Sequence, residues 1–170
     1  MSMYTALGFL AGAAIAIVAA LIIRAKYPKG EYDERQELLR GRAYRHAFLT
    51  VLILAAIHAM FVSLTERPIM EDGVSAMLLV LVGVAVFAID CILHDAFFTV
   101  KTQPVPYLCL CALCVLANAV GGITNLLEGE CFRDGLLTTS CFSLAVGVVF
   151  LAVFVTIILK VYVLREAEDE

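Results

Sequence analysis

Five long stretches of this chain carry little or no charge, and one small core could not hide them all. They cover residues 4–23, 47–64, 74–98, 105–127 and 135–163. A helix needs about 20 apolar residues to cross the hydrocarbon of a bilayer, and Tyr4 to Ile23 alone supplies twenty without a charge. Composition agrees with the pattern. The chain is 62% hydrophobic and 16% charged, with a mean hydropathy of +0.96, whereas a soluble domain carries about 25% charged residues. Lipid must solvate the excess. The expected fold is an all-α integral membrane bundle of five transmembrane helices forming a single domain over residues 1–170. Turn chemistry separates the spans at Glu66-Arg67-Pro68, Glu71-Asp72-Gly73, Gln103-Pro104-Val105-Pro106 and residues 128–134.

Basic residues set the orientation. Arg24 to Arg45 holds seven of them against four acids, and Lys101, Lys160 and Arg165 mark the third connection and the C-terminal end. Arg67 and Arg133 in the second and fourth connections each stand beside acids. The positive-inside rule then places the first and third connections and the C-terminus in the cytoplasm, with the N-terminus outside. The first stretch has no basic residues before it and Arg24, Lys26 and Lys29 after it, so it reads as a retained anchor. Lys160 near the inner end of the last span can snorkel to the headgroups. The charge asymmetry is a topology signal and gives no reason to expect nucleic acid.

Small residues recur every fourth position in the first span, at Gly8, Gly12, Ala16 and Ala20. Such a face lets two helices approach closely, within the chain or between two copies. Ala117, Gly121 and Asn125 make a weaker version in the fourth span.

The segment over residues 31–46 reads as a cytoplasmic amphipathic helix leading into the second span. Asp33 can cap it, Glu34 and Glu37 suit its first turn, and Glu37 can pair with Arg40. Arg35, Arg40, Arg42 and Arg45 then stand at the inner headgroup level, as anchors on anionic lipid phosphates or as a docking surface for a protein partner or a second copy. The string Asp33-Glu34-Arg35-Gln36, followed by Arg40-Gly41-Arg42-Ala43-Tyr44 and Ala47-Phe48, resembles a family of small multi-span bacterial membrane proteins. Many of its members also carry an Asn-Asp-Ala-aromatic stretch near the end of a later span. The corresponding stretch here is His94-Asp95-Ala96-Phe97, which departs at His94. The resemblance implies a bacterial cytoplasmic (inner) membrane and a helical multi-span fold. It implies no activity, since none is assigned to the family.

Ionisable groups inside spans are costly and point to protein or water rather than lipid. Asp90 and His94 stand at i,i+4 and can hydrogen-bond. With the third span running to about Val100, helix rise puts Asp90 about 15 Å and His94 about 9 Å from its inner end. His58 comes out about 18 Å from His46, and Asn118 about 20 Å from Val105. These four residues would form one polar layer, serving either as a proton or cation path or as a hydrogen-bonded lock between helices. Two histidines and a carboxylate are too few constraints to define a metal site.

Six cysteines are present: Cys91, Cys109, Cys111, Cys114, Cys131 and Cys141. Cys111-Ala112-Leu113-Cys114 and the Cys131/Cys141 pair invite a thiol oxidoreductase reading. About 17 helical residues, some 25 Å, part the two pairs, and buried cysteine packs as a small hydrophobe. No phosphate-binding loop, zinc-protease motif, cofactor signature or nucleophile with a base is present. The function expected from the sequence is therefore a non-enzymatic accessory or regulatory subunit acting by association. The alternatives are a small proton- or cation-linked transporter using Asp90 and His58, and a membrane thiol oxidoreductase.

Overall fold

The computed structural model describes residues 32–65, 68–71, 73–98 and 105–164. The chain divides into two units, Met1–Glu31 and Tyr32–Glu170, and the second is described here. The predicted first span, with its Gly8, Gly12, Ala16 and Ala20 face, lies outside the described residues.

Helix α1, Glu34–Thr65, has 32 residues and is therefore about 48 Å long. It fuses the predicted cytoplasmic segment with the predicted second span. At its start the bond that forms runs to the Asp33 backbone. Asp33 precedes it, Gln36 Oε1 reaches back to accept from the Asp33 amide at 3.4 Å, and Glu34 and Glu37 occupy the first turn.

Helix α2, Val74–Leu93, is shorter than the predicted third span, which ran to residue 98. The chain leaves the helix through a Schellman motif. Asp95 takes a left-handed φ of 57°, its amide donates to the Ile92 carbonyl at 3.3 Å, and the Ala96 amide donates to the Cys91 carbonyl at 2.8 Å. Glycine usually fills such a position, but aspartate tolerates it. The helix ends at Leu93, not near Val100. Asp90 sits in the last turn of α2, about 5 Å from its end.

Helix α3, Val105–Leu127, leads into a small hairpin in which β1, Phe132–Arg133, pairs antiparallel with β2, Leu136–Leu137. Asp134 and Gly135 both have positive φ, 54° and 79°, as a two-residue type I′ turn requires. The predicted fifth span began at Gly135. That turn delays the helix, and α4, Phe142–Ile158, starts only after the 3-10 turn Thr139–Cys141. The last segment, Leu159–Leu164, widens into a π-helix.

Helix α3 packs on α4, α1 packs on α2, and α2 also meets α4. Two clusters of buried side chains lie at one end of the bundle, Ala88, Ile92, Cys111, Val153 and Ile157 in one and Ala43, Cys91 and Ala96 in the other, with Phe97 packed against both. Among the described residues four helices are long and apolar enough to cross a membrane, and only 6% to 17% of each apolar window is buried. Leu52, Ile57, Val84, Leu113, Val120 and Val148 all point outward. Such continuous apolar exposure needs a lipid solvent, and it marks the chain as a multi-pass membrane protein.

In α3 the close approach to α4 falls on Gly122, one residue past the Gly121 of the predicted small-residue face. A Cβ built on Gly121 meets nothing within 4 Å, whereas one on Gly122 would lie 2.5 Å from the Leu144 side chain and 3.1 Å from its backbone nitrogen. Gly122→Ala should gain about 1 kcal/mol in helix propensity and lose about 1–3 kcal/mol by overpacking. The net expectation is a loss of about 1 kcal/mol, read as a lower melting temperature in mild detergent. Gly121→Ala serves as the control, and an equal or higher melting point for Gly122→Ala would refute the close packing.

Candidate functional site

The end of the bundle where the core lies also collects its polar side chains. Helices α1 and α2 run antiparallel there, so each four-residue step up α1 is matched by a four-residue step down α2. Arg42 thereby faces His94, and His46 faces Asp90. His46 Nδ1 lies 2.8 Å from Asp90 Oδ2, and His94 Nδ1 lies 2.9 Å from Asp90 Oδ1. The Asp90 side chain is 16% exposed. His94 Nδ1 is also 2.9 Å from the Asp90 carbonyl oxygen, and its Nε2 is 3.4 Å from an Arg42 nitrogen. A guanidinium only donates, so His94 Nε2 accepts and its proton sits on Nδ1, facing Asp90. Both imidazoles thus donate to one carboxylate, one from across the helix pair and one from a turn away on the same helix.

Below this triad the amphipathic extension of α1 is tied to the segment that leaves α2. Gln36 Nε2 donates to the carbonyls of Asp95 at 2.7 Å and Phe98 at 3.1 Å. An Arg40 guanidinium nitrogen donates to the Ala96 carbonyl at 3.4 Å. That guanidinium lies 4.3 Å over the Tyr32 ring and 5.9 Å from the Phe87 ring, and Phe87 stacks on Tyr44 at 4.3 Å. From α4, Lys160 Nζ reaches Asp95 Oδ2 at 2.9 Å. Lys160 is therefore held by a protein carboxylate, where the sequence suggested a free snorkelling end. Asp33, Arg35, Gln36, Leu39, His94 and Asp95 line a cleft of about 120 Å³ beside these contacts.

Of the predicted polar layer, Asp90 and His94 meet as expected, and His58 and Asn118 stand elsewhere. His58 is twelve residues along α1 from His46, about 18 Å away, in an apolar groove with Leu54, Met70, Leu78 and Val82. Asn118 donates to the Cys114 carbonyl at 2.8 Å, and its Cβ is 3.4 Å from a Cβ built on Gly147 of α4. It is an α3–α4 packing residue. The four arginines divide by direction. Arg40 is engaged inside the protein and Arg42 rests on His94, while Arg35 and Arg45 are exposed.

His46, Gln36 and the carbonyls after α2 were missed as site groups. A signal existed. Gln36, Arg40, Ala43 and Ala47 fall on one face of α1 at helical spacing, and Ala43 and Ala47 are buried there. Reading that stripe as an interface would have placed His46 beside the partner helix. The segments Asp33 to Tyr44 and His94 to Phe97 touch through these contacts. Among the described residues no group of three or more His, Cys, Asp or Glu side chains is arranged to hold a metal ion. Comparison with protein-family models, with curated proteins and with solved structures gives no significant match.

Proposed function

We propose that this chain is a non-enzymatic accessory or regulatory subunit that works by association, through a rigid platform at the cytoplasmic side of a bacterial inner membrane. In this reading the bundle has five spans, the N-terminus is outside, and the C-terminus and the α1 extension are inside. The observation that carries it is the bracing of the α1 extension. Gln36, Arg40, Arg42 and His46 bind it to the end of α2, so the opposite face is presented without freedom to fold away. That opposite face holds Glu34, Leu38, Gly41 and Arg45, and Leu38 is 73% exposed. A leucine flanked by an acid and a base on a fixed helix suits a protein groove better than water. Arg35 and Arg45 also suit anionic headgroups, which would hold the platform against the membrane surface.

Leu38→Glu combined with Arg45→Glu is expected to abolish co-purification of a stoichiometric partner in mild detergent, or of a second tagged copy, while leaving the melting temperature within about 2 °C. Retention of the same partner by the double variant would sink the proposal. The transport alternative asks Asp90 and His58 to share a path. The roughly 18 Å of α1 between His46 and His58, and the closure of Asp90 by two imidazoles, weigh against it. The thiol oxidoreductase alternative needs exchange between cysteine pairs at opposite ends of α3, and among the described residues no contact joins them.

A further inference from the structure

The connection between α3 and α4 brings two cysteines to one place in the fold. Cys131 stands just before β1 and is fully buried, while Cys141 closes the 3-10 turn and is partly exposed. Thr138 spans them. Its amide donates to the Cys131 carbonyl at 3.0 Å, and its own carbonyl accepts from the Cys141 amide at 3.2 Å. The hairpin between the two cysteines is also the anchor for the connection from α1 to α2. The Leu137 amide donates to the Ile69 carbonyl and the Glu71 amide to the Leu137 carbonyl, both at 2.9 Å, and Arg133 lies 3.9 Å from Glu71. A bond between the sulfurs would therefore close the hairpin at its base and fix both connections on that face.

We propose that Cys131 and Cys141 form a reversible disulfide that staples this end of the bundle. The geometry assigns the roles. Cys141 is the accessible thiol, so its thiolate attacks one sulfur of a low-molecular-weight disulfide. That S–S bond breaks, one thiol leaves and takes up the proton, and a mixed disulfide remains on Cys141. The Cys131 sulfur, brought alongside by the two Thr138 backbone bonds, attacks the Cys141 sulfur and expels the second thiol. Two protein thiols lose two electrons, and one disulfide becomes two thiols. The proposal is independent of the association reading and does not require a partner. If the orientation proposed above holds, the pair faces the compartment in which disulfides persist.

The test uses the full chain purified in mild detergent, reduced, and then exposed to glutathione buffers of rising oxidised fraction. Peptide mapping after alkylation should show two thiols lost per chain and a cross-linked peptide joining Cys131 to Cys141, with the protein still monomeric on a denaturing gel. Amide exchange over residues 131–141 and 69–71 should slow at least tenfold on oxidation. Cys131→Ser should accumulate glutathione on Cys141, which the wild type does not, and Cys141→Ser should leave Cys131 unmodified. Glutathione retained on Cys141 of the wild type, a cross-link between other cysteines or between chains, or six unchanged thiols would overturn the assignment. Formation of the bond without slower exchange would overturn the staple. Should either serine variant fail to fold, the wild-type peptide map alone decides.

Discussion

Asp90→Ala should destabilise the protein by about 2–3 kcal/mol, with most of the effect on the α1–α2 pair. The magnitude comes from two competing scales. A hydrogen bond to a charged acceptor contributes about 1.5–3 kcal/mol in a soluble fold, while polar bonds between membrane helices average about 0.6 kcal/mol. Asp90 lies in the last turn of α2 with two donors, His46 and His94, that both keep some contact with solvent. Each bond should then fall between the two scales, and removing the carboxylate leaves both imidazoles without their acceptor. A double-mutant cycle separates the helix-to-helix part. Asp90→Ala, His46→Ala and the double variant, compared by denaturation in detergent, should give a coupling of about 1 kcal/mol. The same cycle with His94→Ala should give less, because that contact lies within α2 and does not join two helices. A His46 coupling indistinguishable from zero would mean the pair holds nothing together. Under the same reading, Asp90→Asn in proteoliposomes leaves proton and cation flux unchanged, and an abolished flux would revive the transport alternative.

The bundle was legible where hydropathy and turn residues agree. Residues 105–127 coincide with α3, and residues 47–64 end within one residue of the end of α1, whose start lies thirteen residues earlier, because proline opens the one run and charge closes the other. The two ends that differ do so for local reasons. Asp95 occupies a left-handed position that glycine would have advertised, so the exit of α2 at Leu93 was hidden inside an apolar run. Asp134-Gly135 is a recognisable hairpin signal, but its strands are two residues each, too short to show an alternating pattern. In the site, Asp90 and His94 were readable from their spacing because both lie on one helix. His46 was not, because its pairing depends on the register between α1 and α2. Small residues pack at that register, Ala43 against Ala96 and Cys91, and hydropathy reports small residues only as more apolar chain. His58 illustrates the converse error. Depth along a helix says nothing about which face a residue occupies or which neighbour it meets.

Ala96→Leu should be the most disruptive single change at this end of the protein, costing about 3 kcal/mol or more. Ala96 is 0% exposed and serves three contacts at once. Its methyl packs against Ala43 and Cys91, its amide closes the α2 cap on the Cys91 carbonyl, and its carbonyl accepts from Arg40. Overpacking a filled site costs about 1–3 kcal/mol when the neighbours can shift. Here the neighbours are backbone and two buried small side chains, so the added carbons must push α1 away from the exit of α2. That displacement breaks the Arg40 and Gln36 bonds together, which is why the loss should exceed the packing term alone. Hydrogen exchange separates this outcome from general unfolding. Amides of Gln36 to Arg42 should exchange faster by about tenfold or more, while those of α3 and α4 keep their protection, because α3 and α4 pack chiefly on each other. Ala96→Ser, which adds one atom and can bond to a nearby carbonyl, should show a fraction of the effect. If Ala96→Leu loosens α3 as much as the α1 extension, the platform is not a separable unit and its rigidity cannot be what presents Leu38 to a partner.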